Sequence, residues 1–211
     1  MSIKTALHPR NKHRNGYDFS ALVNVHPALS EHIIQNKHNQ LPTVNFSKAE
    51  AVKALNVALL KKHYQIEHWD FPDENLCPPI PGRADYLHHI ADLLSENNNR
   101  NIPLGDKITC LDVGTGASCI YPIIGVTEYD WRFIGSDIDP KSIASAQNII
   151  NSNPTLNGKI ECRLQQHPKH IFLDIIKPGD KIDITLCNPP FHSSLEDAQK
   201  VTQRKIKNLS K

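Results

Sequence analysis

The chain has 211 residues, 39% of them apolar and 22% charged, with a formal net charge of +2. This is ordinary globular composition, and it excludes a disordered chain or a uniformly basic nucleic-acid scaffold. With no apolar run near the ~18 residues that span a bilayer, no signal-peptide core, and five cysteines lacking any C-x-x-C pair, a cytoplasmic protein with neither membrane segment nor metal is expected.

In chain order, residues 1–20 are polar and basic, with Lys4, Arg10, Lys12 and Arg14 and no acid before position 15. They read as an extended arm outside the core, turning at Asn15-Gly16, whose charge suits a polyanion. Residues 20–37 predict a helix opened by Ser20 or Pro27, with Leu22, Val25, Leu29 and Ile33 on one face. A second helix is predicted from Ser47, with Glu50 completing a capping box, to about Tyr64. Prolines at 72, 78, 79 and 81 exclude a regular element. The apolar residues among them (Trp69, Phe71, Leu76, Cys77, Ile80) predict a stiff loop packed on the domain. A helix follows from about Ala84 to Ser95, with Leu87, Ile90, Ala91 and Leu94 inward. The Asn-rich stretch 97–101 marks the expected boundary between an N-terminal arm and helical extension (1–100) and a second domain (101–211).

From there strands and helices alternate. Strands are predicted over 107–113, 131–137, 160–164 and 182–187, and helices over 119–126 and from Asp139-Pro140 to about Asn151. A short helix is expected at 171–176. This order implies a parallel, doubly wound α/β sheet.

Two turns carry the chemistry. Asp112-Val-Gly114-Thr-Gly116 ends the first of these strands, where glycines let a ligand approach the backbone and a helix N-terminus offers free N–H groups. Cys119 stands where the dinucleotide fingerprint has its third glycine. Asp137, at the end of the next strand, is placed to grip both hydroxyls of a ribose, although a carboxylate so near Pro140 also fits a helix cap. At the last strand the tetrad Asn188-Pro189-Pro190-Phe191 leaves the sheet in a rigid turn. The Asn188 amide and the Pro189 carbonyl can accept both hydrogens of an exocyclic amine, and Phe191 can stack on a flat base. A plain Pro-Pro turn with a packing Phe is the alternative. Together, D-x-G-x-G, the ribose acid and N-P-P-F describe an S-adenosylmethionine-dependent amino-methyltransferase.

The resemblance goes further. Leu7-His-Pro-Arg-Asn-Lys-His-Arg14, Leu76-Cys-Pro-Pro-Ile-Pro-Gly-Arg-Ala-Asp-Tyr86, Gly116-Ala-Ser-Cys-Ile-Tyr-Pro-Ile-Ile-Gly125 and Leu186-Cys-Asn-Pro-Pro-Phe191 resemble the bacterial 23S ribosomal RNA adenine-N6 methyltransferase family. That family is related to the eukaryotic methyltransferase-like enzyme acting on U6 small nuclear RNA. The resemblance implies a class I (Rossmann-like) methyltransferase fold with an N-terminal helical extension. It implies S-adenosylmethionine as cofactor, reached by Arg83, Asp112, Gly114, Gly116, Asp137 and Asn188. Asn188, Pro189 and Phe191 would receive an adenine of 23S ribosomal RNA, and Arg10, Lys12 and Arg14 would lie against the RNA. Such relatives continue well past N-P-P-F, so a sheet lacking its last strands and a monomeric chain are expected. Methylation of DNA adenine or of a protein glutamine, and a non-catalytic RNA- or cofactor-binding fragment, are the alternative readings.

Overall fold

The computed structural model describes residues 7–37 and 39–189. Its centre is a four-stranded parallel sheet of β3 (Thr109–Val113), β4 (Arg132–Asp137), β5 (Ile160–Leu164) and β6 (Ile184–Cys187), in the order β5-β4-β3-β6. The chain runs outward from β3 through β4 to β5, then returns to the other side of β3 as β6. β3 is therefore the point where strand order reverses, and the crevice at the carboxyl ends of β3 and β6 is where such sheets take ligands.

Helices α4 (Ile120–Tyr129) and α5 (Pro140–Asn151) connect these strands. Residues 142, 145, 146, 149 and 150 of α5 are buried at helical spacing. Pro140 occupies its first turn, and Asp139 caps it by accepting from Lys141 N–H and Ser142 N–H. Cys110 and Phe133 face α4 and α5, in one apolar cluster with Ile123, Ile124, Ala146 and Ile149. Their strand neighbours Leu111 and Ile134 point to the other face, which Ile175 covers. α4 is buried continuously from Ile120 to Val126 because α3 (Ile80–Glu96) packs on its far side. The same cluster reaches Leu60 of α2 (Ala49–Tyr64) and Leu87 of α3, so it joins residues from both sides of position 100.

At Gly125 a Cβ would lie 2.3 Å from the buried Phe133 ring. Gly125→Ala is expected to destabilise the fold by about 1–3 kcal/mol through overpacking. A urea midpoint equal to that of the parent would disprove this.

The N-terminal half departs from the sequence reading in four places. The helix expected over 20–37 is broken: α1 (Phe19–Val25) ends before Pro27, a 3₁₀ turn spans Pro27–His32, and a two-stranded antiparallel pair follows, β1 (Ile33–Gln35) with β2 (Pro42–Val44). Proline drives the preceding residue out of helical geometry, and His26 sits at φ −145°, ψ 82°. The capping box at Ser47 does not form: Asn45 Oδ1 captures both the N–H and the hydroxyl of Ser47, and α2 starts after Lys48. α3 begins at Ile80 rather than Ala84, since Pro81 suits a first helical turn. The arm is not extended. His8, Asn11 and His13 are buried, with Asn11 donating to Pro81 O and Asp85, and His13 Nε2 bonded to the Tyr64 hydroxyl. Polar side chains are tolerated inside when they are hydrogen-bonded.

The proline-rich loop does pack. Trp69 and Phe71 are buried edge to face, although Leu76 is 78% exposed. Buried Asn153 fastens the loop's approach, accepting from Glu67 N–H and His68 N–H and donating to His68 O. In the second half β3, β4 and β6 begin one or two residues late, while β5 falls on the expected residues. The helix expected at 171–176 is a run of turns, in which Asp174 takes a left-handed φ of 66°. No helix among the described residues is long and apolar enough to cross a membrane.

Candidate active site

The turn after β3 is built by backbone bonds. Gly114 N–H and Thr115 N–H both donate to Ser136 O on β4, at 2.8 and 2.9 Å. This geometry needs left-handed backbone at Gly114 (φ 76°) and Gly116 (φ 67°), where glycine is at no disadvantage. Cys119 keeps the same handedness, φ 51°, in place of the absent third glycine. Thr115 is tucked against Gly135, where a Cβ would come within 3.1 Å of it. Two carbonyls further along are clamped: Ala117 O accepts from the Ser145 hydroxyl of α5, and Ser118 O from Trp69 Nε1 at 2.8 Å. The proline-rich loop, α5 and β4 thus fix one rigid turn.

Three charged groups face it. Asp112 is fully buried, and among the described residues neither carboxylate oxygen has a hydrogen-bond partner. Burial pushes its pKa up to about 7, with the charge of Asp137 adding to the rise, while the Thr115 hydroxyl and Arg83 act the other way. Asp137, at the end of β4, accepts from Gly116 N–H at 2.9 Å and from Asp139 N–H at 2.9 Å. It braces the glycine turn, while Asp139 is the residue that caps α5. Arg83, on the first turns of α3, donates through Nη1 to Asn188 Oδ1 at 3.0 Å and to the Tyr121 hydroxyl at 3.1 Å. Its guanidinium lies 5.4 Å from the centre of the Tyr121 ring, against which Tyr86 packs edgewise.

Arg83, Asp112, Gly114, Gly116, Asp137 and Asn188 are therefore gathered at the carboxyl ends of β3, β4 and β6, and Pro189 follows at the exposed rim. Phe191 lies outside the described residues, as does Pro190. The arm cations fare differently. Arg10 is spent on Asp92, His88 O and the Tyr129 hydroxyl, and Lys12 on Glu128 and His63 O. Arg14 is exposed, and its side chain bonds nothing among the described residues. His8, His89 and Asp92 bring ligand-type atoms within 4.8 Å of one another. Both Asp92 oxygens are already bonded, by His8 Nε2 and Arg10, in the pattern of an internal brace. Sequence reasoning gave Tyr121 and Trp69 no role at the site. Their signal was present, a tyrosine one helical turn past the glycines and a tryptophan among prolines, yet nothing local reveals which partner each meets.

These residues suit a nucleoside bearing an amino acid. Among the described residues, a buried carboxylate without a hydrogen-bond donor and a half-buried guanidinium without an acid on it are complementary in charge to an α-ammonium and an α-carboxylate. The second carboxylate, Asp137, keeps an unused lone pair on each oxygen beyond its bonds to Gly116 N–H and Asp139 N–H. At Gly114 and Gly116 an added Cβ would meet nothing within 4 Å, so a ligand can approach the open side of the turn.

The sequence model of a family described as RNA methyltransferase matches residues 1–211. The chain is 53% identical over 206 residues to a protein of Cytophaga hutchinsonii named ribosomal RNA large subunit methyltransferase F, covering 98% of this chain and 64% of that one. Among solved structures it is similar to the N-terminal domain of human METTL16 in complex with SAH (TM-score 0.76, 28% identity, 95% of this chain and 78% of that one). It is also similar to the hMettl16 catalytic domain in complex with the MAT2A 3'UTR hairpin 1 (TM-score 0.77, 30% identity, 93% and 63%). The chain spans 54–68% of the length of the curated relatives it matches.

Proposed function

Since the chain belongs to this RNA methyltransferase family, we propose that it forms the cofactor-binding and base-accepting part of an enzyme methylating N6 of an adenine in 23S ribosomal RNA. The observation that carries this reading is the position of Asn188. Its side-chain oxygen stands at the end of β6, beside the turn, the orphan Asp112 and Arg83, where a planar amine can meet a cofactor held by β3 and β4. Asp137 and the Gly114–Gly116 turn hold the nucleoside half of S-adenosylmethionine, and Asp112 and Arg83 its amino-acid half. When bound, S-adenosylmethionine supplies an electrophilic methyl group on a sulfonium.

The chain's own residues position the nucleophile. Asn188 Oδ1 and Pro189 O accept the two N6 hydrogens, which turns the nitrogen lone pair out of the base plane and along the line of attack. No general base is needed, because the proton leaves after N6 has become cationic. The stacking role of Phe191 rests on the sequence alone, and stacking of this kind contributes about 1–3 kcal/mol per base. A flipped or single-stranded adenine is required. Arg14 remains available for a phosphate, whereas Arg10 and Lys12 act by holding the arm in place.

Calorimetric titration with S-adenosylmethionine, with NAD as control, tests the cofactor half. Saturable binding of the former alone is expected, weakened about tenfold or more in Asp137→Ala, the loss of one to two charge-assisted bonds. Circular dichroism checks that the variant folds, because Asp137 also braces Gly116. Binding of NAD but not S-adenosylmethionine would overturn the reading. Nucleoside analysis of ribosomal RNA after incubation separates N6-methyladenosine from other products, and DNA and a glutamine peptide serve as competing substrates.

A further inference from the structure

We propose that Arg83 is a latch on Asn188: in the free protein it holds the oxygen that a target adenine needs, and the carboxylate of the bound cofactor draws it away, so that the base is accepted after the cofactor. The inference rests on the cofactor reading above and assigns Arg83 a positioning role in addition to a binding one.

Guanidinium groups only donate hydrogen bonds, so the atom of Asn188 that faces Arg83 must be its oxygen, the same atom proposed to accept from N6. At 3.0 Å the contact is fully formed, and Arg83 is held in that pose by the hydroxyl and ring of Tyr121. Its side-chain partners among the described residues are neutral. The acid whose charge it feels, Asp112, is buried, and with a pKa of about 7 it is only partly ionised near neutral pH. A half-buried cation bonded, among the described residues, to an amide and a phenol is poised to exchange them for a carboxylate, which adds a full opposite charge and can take two parallel bonds from the guanidinium.

Leaving Arg83 in place would oppose the reaction. The amine nitrogen becomes positively charged as the N–C bond forms, and a guanidinium bonded to the same Asn188 oxygen would stand next to that charge and repel it. Removing the guanidinium frees an acceptor lone pair and relieves this repulsion in one movement.

The test compares two ligands of the same pocket. S-adenosylhomocysteine carries the carboxylate, and 5'-methylthioadenosine lacks the amino-acid end. With each at saturation, verified by calorimetry, a fluorescein-labelled hexaadenylate RNA is titrated and followed by anisotropy. The adenosine pocket is filled in both arms, so the RNA cannot bind there. The wild-type chain is expected to bind the RNA about 5- to 10-fold more tightly with S-adenosylhomocysteine, the lower range of allosteric couplings. In Arg83→Met the two affinities should coincide at the tighter value, because the latch is gone. Equal affinities in the wild type would overturn the latch while leaving cofactor binding intact, and so would weak RNA binding by Arg83→Met in both arms, the mark of a simple structural prop. If S-adenosylhomocysteine does not bind at all, the cofactor reading falls and the latch with it. If methylthioadenosine alone fails to bind, ligand-free wild type is compared with ligand-free Arg83→Met, whose adenosine pockets are equally empty: tighter RNA binding by the variant is expected, and equal binding overturns the latch.

Discussion

Asn188→Ala is expected to lower the rate of methyl transfer by about 10²–10³-fold, the scale of losing correct placement at a reacting centre. Cofactor affinity should hold or tighten slightly, because the substitution also releases Arg83 from its bond to Asn188. That split separates positioning from binding. A residue serving only the pocket's integrity would weaken both. Asn188→Asp sharpens the comparison: it retains an acceptor oxygen in nearly the same shape, yet places a carboxylate within bonding distance of a guanidinium. An ion pair there keeps the oxygen on Arg83, so the near-isosteric variant is expected to be as inactive as the alanine one and to bind cofactor more weakly. Single-turnover transfer of labelled methyl to RNA, alongside calorimetry, measures both quantities. Full activity in Asn188→Ala would remove Asn188 from the mechanism.

The second large effect concerns the arm and pH. His13, in the arm itself, and His88, beneath it, are both buried, His13 bonded through Nε2 to the Tyr64 hydroxyl and His88 through Nδ1 to the Tyr129 hydroxyl. The other nitrogen of each ring has no partner. Burial first, then nearby cations (His63 and Lys12 for one, Arg10 and His8 for the other), lowers both pKa values to about 4. In the unfolded chain these rings titrate near 6.5. Between those values the unfolded state binds more protons than the folded one, so stability rises with pH across the window. The contribution is complete above pH 6.5 and is lost as pH falls toward 4.

By pH 5 the loss amounts to about 2 kcal/mol per ring. Asp112 works in the opposite sense, since a raised carboxyl pKa makes its burial more costly as pH climbs through 7. The histidine effect must therefore be read as a difference. Urea unfolding of wild type and of His13→Phe/His88→Phe, at pH 7.5 and pH 5, cancels the Asp112 contribution. The stability gap should move by about 4 kcal/mol in favour of the double variant as pH falls. Parallel pH profiles would show that the two rings do not couple the fold to pH.

Local signals were read well and distant ones were not. The Asp139-Pro140 start of α5 is written in two adjacent residues, and the observed cap and first turn match it. β5 falls on the predicted residues because a five-residue apolar alternation needs no knowledge of its neighbours. At Ser47 a second local signal, Asn45, competed with the first and won. Arg10 and Lys12 looked like free cations because their acids, Asp92 and Glu128, lie far along the chain. The site residues were legible one by one as a glycine turn, a strand-end acid and an Asn-Pro turn. The bond between Arg83 and Asn188, 105 residues apart, and the unpartnered state of Asp112 arise only when α3, β3 and β6 are brought together.

The chain's two tryptophans give it a built-in optical readout. Trp69 donates its indole hydrogen to Ser118 in the loop that follows the glycines, so its emission should respond to a ligand settling there. Trp131 lies stacked on Tyr129, the tyrosine that Arg10 and His88 both bond, on the side of the core where the arm docks. Single tryptophan-to-phenylalanine variants would therefore report pocket occupancy and arm attachment on separate channels, without any dye.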